Sequence, residues 1–406
     1  MISHLFRTVA ELESLGEVSL QTGPFGTQLK ASEYVDEGIP VINVRNIGFG
    51  DVRKEDLEYL NEAKAEKIHQ HRLRKGDIVF GRKGAVERHA LIDESVDGWI
   101  QGSDCLRLRI KSQDVCERYL SHYLKTQAHQ DWMQALCSFG ATMTSLNQDI
   151  VRRISFPSPP IEAQKRIAAT LTAYDELIEN NQRRIALLEK MSEEVYREWF
   201  VRLRFPSYEK VKKLRGVPDG WKEQKFGQFC QLQRGFDLTD AEVEPGQYPV
   251  IASTSIKTYH SQYKVEPPVI TTGRSGSLGE VLFVNTRAWP HNTALYVKNF
   301  FGNSAFLVYY TLKSMRLENF NAGAGVPTLN RNHLNGIPII VPSKEIQDQF
   351  DSVVSKLYAQ AELLRNANQK LTMTRGALLP RLISGKLSVE NLDIQFPSSM
   401  LEDAHA

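Results

Sequence analysis

The sequence predicts an α/β (α+β) protein built as a tandem, pseudo-two-fold repeat. Two mixed domains are each followed by one long helix, and the two helices form an antiparallel coiled coil. Three observations predict this. Leu146-Asn147, Ile154, Pro159 and Gln164 recur as Leu329-Asn330, Ile337, Pro342 and Gln347, each 183 residues later; self-similarity at a fixed offset marks a duplicated unit. Upstream, Ile78-Val79-Phe80-Gly81-Arg82-Lys83-Gly84 resembles Ile270-Thr271-Thr272-Gly273-Arg274-Ser275-Gly276 at an offset of 192, so the copies differ by insertions. Finally, two long stretches carry apolar seams in the same heptad phase.

In chain order, residues 39–44 and 106–110 read as strands and residues 119–134 as a helix. Pro157, Pro159 and Pro160 then precede a stretch, residues 161–200, without Pro or Gly. Its seam is Leu171, Tyr174, Ile178, Asn181, Ile185, Leu188, Ser192, Val195 and Trp199, the 3-4 spacing of a coiled-coil face. Pro206 closes it. In the second half, residues 269–272, 281–284 and 337–341 read as strands and residues 305–319 as a helix. Pro342 and a Ser343 N-cap open the second long helix. Its seam is Val354, Leu357, Ala361, Leu364, Asn368, Leu371, Arg375, Leu378 and Leu382. Gly385 fits a left-handed C-cap, and Pro380 should kink or end the helix locally. About 40 residues make each helix roughly 60 Å long.

Each seam carries one asparagine, Asn181 and Asn368. An unpaired amide in an apolar seam costs about 1–3 kcal/mol, so the two form the expected register pair. That register sets Ile185 against Leu364, Ile178 against Leu371, Leu171 against Leu378 and Val195 against Val354. It also places the Arg375 guanidinium on the Tyr174 ring.

Composition bounds the function. The 406 residues are 41% hydrophobic and 24% charged, with no apolar run long enough for a membrane span. The start, Met1 to Arg7, has no signal-peptide core. Cys105, Cys116, Cys137 and Cys230 lack the spacing of a zinc site, which fits a reducing cytoplasm. Net charge is +2, distributed as −2 over residues 1–160, −2 over 161–200, +7 over 201–342 and −1 over 343–406. By bulk charge only the third segment suits a polyanion.

Catalytic signatures are missing from the sequence. Gly273 to Gly279 lacks the Gly-Lys-Ser/Thr of a nucleotide loop, and Gly323-Ala324-Gly325 lacks the third glycine of a dinucleotide fingerprint. Glu266-Pro267-Pro268-Val269 has neither the Asp/Asn nor the aromatic of an amino-methyltransferase motif. His69 and His71, flanking Gln70 among basic residues, read as solvated surface. The repeated Gly-Arg-x-Gly turn differs: it would present Arg82 and Lys83, and then Arg274, at exposed tips. An arginine there suits a guanine edge or a phosphate.

Several stretches resemble the specificity subunits of type I restriction-modification systems. They are residues 196–206 (ending Trp199-Phe200-Val201-Arg202-Leu203-Arg204-Phe205-Pro206), Gly216-Val217-Pro218-Asp219-Gly220-Trp221, and residues 378–387 around Leu382-Ile383-Ser384-Gly385-Lys386-Leu387. Leu146-Asn147 through Gln164, with its repeat through Gln347, matches the approach to the family's spacer helices. Glu162-Ala163-Gln164 and Glu345-Ile346-Gln347 depart from the more usual adjacent Glu-Gln.

The resemblance implies target recognition domains at residues 1–157 and 207–342, spacer helices at 158–206 and 343–385, and a C-terminal tail at 386–406. It implies a chain without an active site or metal, reading one half of a bipartite duplex with each domain. Two methyltransferase subunits holding S-adenosylmethionine would dock on it and methylate adenine; restriction subunits using ATP and Mg would join them. The family's DNA-contacting residues vary with the target, so none carries over. Chemistry alone nominates Gln28, Lys30, Arg45, Asn46, Arg82, Lys83 and Arg88 in the first domain. In the second it nominates Ser255, Lys257, Tyr259, Arg274, Ser275, His291 and Asn292. With the register pair in place, half-sites should lie about one DNA turn apart. The competing readings are a single-chain restriction-modification enzyme, opposed by the missing motifs, and a coiled-coil scaffold, opposed by the repeated tip.

Overall fold

A computed structural model describes residues 6–138, 145–323, 325–390 and 392–401. Ala324 and residues 1–5, on which two sequence readings fall, lie outside them. The chain divides into two compact units, residues 1–180 with 367–406 and residues 181–366. The division therefore cuts both long helices rather than falling at their ends.

In the first unit a five-stranded sheet runs Val18–Thr22, Cys105–Ile110, Ile78–Gly81, His89–Leu91, Phe49–Gly50. All neighbours are antiparallel except the last pair. Side chains alternate across it, as the pleat requires. Ile78, Phe80, Leu106 and Leu108 enter a core with Tyr119, Leu120 and Leu171. Val79 and Cys105 face the other way, onto Ile42 and Ile47. A three-stranded sheet, Glu58–Leu60, Ile39–Ile42, Ile100–Gln101, flanks it.

The second unit repeats this plan. Its main sheet runs Gln231–Arg234, Ala294–Asn299, Val269–Gly273, Val281–Val284, and its flanking sheet Ser255–His260, Tyr248–Ala252, Trp289–Pro290. In both flanking sheets the central strand pairs antiparallel on one side and parallel on the other. The expected helix at 119–134 is two helices, Glu117–Leu124 and Gln127–Ser138. That at 305–319 is Ala305–Ser314 followed by a 3₁₀ turn, Leu317–Phe320.

The repeated motifs hold equivalent places. Asn147 caps a short helix by accepting from the Ile150 amide at 2.9 Å, and Asn330 caps its counterpart through Asn332 at 3.0 Å. Gln164 is fully buried; its carboxamide accepts from the Cys116 amide at 3.0 Å and donates to the carbonyls of Asp114 and Pro159 at 2.9 and 2.8 Å. Gln347 accepts from the Ser304 amide at 2.8 Å and donates to the Pro342 carbonyl and Asn303 Oδ1 at 3.0 and 3.2 Å. Each glutamine thus ties the start of a long helix to the domain before it.

Those helices are Ile161–Tyr196, continued by a π-type turn Arg197–Val201, and Lys344–Ile383. The second runs on past Pro380 and ends before Gly385, whose φ is +70°. In the first unit Leu378 packs into the core that holds Leu171, and the Asn368 amide donates to the Ile178 carbonyl at 3.1 Å. In the second, Val195 and Val354 share a core, and Phe350 meets Phe200 at 4.9 Å. Within each unit the two helix segments run antiparallel. One expectation fails: Arg375 pairs with the Asp175 carboxylate, not the Tyr174 ring. A carboxylate one residue along offers charge and hydrogen bonds where a ring face offers only its quadrupole. Asn181 is buried, but it falls in the other unit from Asn368.

The tail is part of the first unit. Val389 and Met400 are buried there, and Arg166 donates to the Leu392 carbonyl at 2.9 Å. Among the described residues no helix is long and apolar enough to cross a membrane.

Candidate nucleic-acid interface

In each main sheet the Gly-Arg-x-Gly tip is pinned from two sides. The Arg82 amide donates to the Asp104 carbonyl at 2.8 Å, and its own carbonyl accepts from Leu146 at 2.9 Å. The Arg274 amide donates to the Thr293 carbonyl and its carbonyl accepts from Leu329, both at 2.8 Å. The two repeated motifs are therefore partners. Gly84 and Gly276, with φ of +77° and +93°, turn the chain where a side chain would be strained.

The same sheet end gathers further groups. In the first unit it holds the loop after Thr22, with Gln28 and Lys30 exposed, and the Lys83–Asp104 ion pair at 3.2 Å. Gln148 donates to Thr22 at 3.1 Å and closes that edge. The Arg88 guanidinium lies 5.1 Å from the centre of the Phe49 ring. Nε of Arg82 and Nε of Arg88 are shielded from solvent and have no hydrogen-bond partner. Those two atoms face the protein, and it is the charge of two guanidiniums at one sheet end that favours an anion there. Arg45 is exposed but paired with Glu58 at 3.1 Å, with Nε donating to the Asp56 carbonyl.

Asn46 must be corrected. It is fully buried; its amide donates to the carbonyls of Arg53 and Glu55 at 3.1 and 2.9 Å, and its oxygen accepts from the Asn43 amide. It shapes a loop and has nothing left for a base. His71 is also buried, not solvated, with Nδ1 3.3 Å from the Gln21 amide; burial, then the charge of Arg107, lowers its pKa. His69 is exposed as expected.

In the second unit Arg274, Ser275, His291 and Asn292 come together. Arg274 Nη1 donates to the Asn292 carbonyl at 3.2 Å, and the Ser275 carbonyl accepts from the Ser253 hydroxyl at 2.7 Å. His291 faces inward: its ring nitrogens lie 3.1 Å from Thr293 Oγ1 and from the Leu238 carbonyl. Ser255, Lys257 and Tyr259 stand exposed on the outer strand of the flanking sheet, not in a turn. Lys257 reaches back to Asp240 at 2.5 Å.

Sequence reasoning passed over the acids. Asp237 accepts from Arg234 at 2.6 Å and from the Asn292 amide at 2.5 Å. Asn292, then burial opposed by Arg234 and His291, leaves its carboxyl below the usual range. Asp104 and Asp240 likewise hold lysines. The signal was an Arg-x-x-Asp spacing at 234–237, invisible to a search for cations. Among the described residues no cluster of three or more His, Cys, Asp or Glu could hold a metal.

Comparison with known proteins adds the following. A family model described as the type I restriction modification DNA specificity domain matches residues 9–190 and 218–373. The type I restriction enzyme MjaIX specificity subunit of Methanocaldococcus jannaschii is 23% identical over 95% of this chain and 94% of its own. The putative MjaX specificity subunit of the same organism is 22% identical over 94% of each chain. The crystal structure of a type I restriction-modification S subunit from M. genitalium superposes with a TM-score of 0.60 at 18% identity, covering 94% of this chain and 96% of that one.

Proposed function

The chain belongs to the type I restriction modification DNA specificity family, and we propose that it reads a bipartite duplex target, one half with each recognition domain. The observation that carries this is the duplicated tip: an arginine turn held by equivalent pairs of backbone hydrogen bonds at the same end of two sheets that share four strands in the same order. Duplication with different side chains around a common frame is what two independent half-site readers need. Cationic tips supply the sequence-independent attraction to phosphate, and the polar groups beside them supply base choice.

The chain performs no chemical step in this reading and carries no cofactor of its own. Two methyltransferase subunits bearing S-adenosylmethionine dock on the long helices; restriction subunits bearing ATP and Mg complete the cytoplasmic complex. Leu177, Leu187 and Met191 on the first helix, with Leu363 and Met373 on the second, remain exposed and support a protein partner there.

The test is to replace residues 207–341 with the matching segment of a relative and map methylated adenines in cells carrying the methyltransferase. One half of the recognised site should change and the other stay. Changes in both halves would overturn the two-reader assignment.

A further inference from the structure

Asn292 is held in one orientation by a neighbour that can only accept. Ionised Asp237 has no hydrogen to give, so the amide face of Asn292, not its carbonyl face, must turn toward it; Nδ2 lies 2.5 Å from Asp237 Oδ1. The same oxygen takes Arg234 at 2.6 Å, which steadies the carboxylate from the other side. Asn292 therefore keeps its carbonyl oxygen and the second Nδ2 hydrogen, one acceptor beside one donor. That pair complements adenine in the major groove, where N6 donates and N7 accepts. Guanine presents two acceptors there and would leave the Asn292 oxygen facing another oxygen.

The surroundings fit a base reader. Asn292 is half-exposed and its backbone carbonyl accepts from the tip residue Arg274 at 3.2 Å, so the side chain stands beside the Gly-Arg-x-Gly turn. On the other flank, Arg234, Asp237, Gln231, Gln233 and Arg331 line an open depression. Arg331 is fixed there by donating to the Leu232 carbonyl at 3.2 Å. Two guanidiniums on one polar depression suit a backbone phosphate, next to the residue that would read the base.

We propose that Asn292, oriented by Asp237, reads an adenine in the half-site recognised by the second domain. This rests on the assignment of the chain as a DNA reader. Asn292 is the base-contacting residue, and Asp237 is a positioning residue.

The experiment uses the full chain with its methyltransferase subunit, selecting from a duplex pool with randomised sequence. The wild type should return a bipartite motif. Asn292→Ala should relax one position, an adenine on one strand, and weaken the selected duplex by about 5- to 150-fold. Asp237→Ala should relax the same position less completely. Asp237→Glu, which keeps an acceptor-only carboxylate, should restore more of the adenine preference than Asp237→Asn, whose amide can also donate to the Asn292 oxygen; a merely structural role would favour the isosteric Asn. Arg331→Ala should weaken all sequences alike. An unchanged motif in both Asn292→Ala and Asp237→Ala overturns the proposal, as does equal weakening of every sequence or relaxation at a base other than adenine. Failure of the wild type to select any motif would instead remove the DNA-reading assignment beneath it.

Discussion

Arg375 on the second long helix pairs with Asp175 on the first, and Lys125 of the adjoining recognition domain reaches the same carboxylate at 3.1 Å. One acid joins three elements of the first unit. Burial raises the Asp175 pKa, but Lys125, His122 and Arg375 together outweigh it and leave the group below its ordinary value. A depressed folded pKa stabilises the fold above the unfolded pKa and loses that contribution as pH falls through the folded one. Asp175→Asn should therefore cost about 1–3 kcal/mol near neutral pH. The penalty should shrink as pH falls below the ordinary aspartate range, where the wild-type carboxyl also protonates. Thermal melts of both proteins across that range check it.

Gln164 gives a test that separates size from chemistry. Gln164→Glu keeps the shape but removes both donors, leaving the carbonyls of Asp114 and Pro159 facing a buried carboxylate. The expected loss, about 2–5 kcal/mol in urea unfolding, exceeds that of Gln164→Ala. The same order should hold at Gln347.

The guanidiniums of Arg82, in the Gly-Arg-x-Gly turn, and Arg88, against the Phe49 ring, predict a phosphate contact in the first domain. In anisotropy titrations with a duplex, the double change to Ala should reduce the slope of log affinity against log salt by about 1–2. An unchanged slope would place these arginines away from DNA.

All four cysteines are buried and free. Burial pushes the thiols of Cys105, Cys116 and Cys230 up to about 12 and that of Cys137 to about 11. None should react with a thiol reagent at about pH 8 in the folded protein, and all four should react in denaturant.

What could be seen in the sequence was what the backbone imposes. Gln164 and Gln347 stand out because each must serve one backbone amide and the carbonyl of the proline before its helix, and Arg82 and Arg274 because the turn they occupy needs glycine after it. What escaped was set by residues far apart in the chain. His71 is buried by Gln21 and Arg107, and Asn46 by a loop closing on Arg53 and Glu55. Asp237 gains its role only when Asn292 folds against it. The Tyr174–Arg375 expectation followed the heptad and overlooked the acid beside it.

The seat made by Gln164 has an evolutionary consequence. Its three hydrogen bonds all end on main-chain atoms, of Cys116, Asp114 and Pro159. Main-chain groups are the same whatever the side chain, proline's missing amide excepted. A gene exchange that imports a foreign module with the same chain path would thus find its socket intact. Specificity can then change by recombination in a single event, while the joint to the helix carries over unaltered.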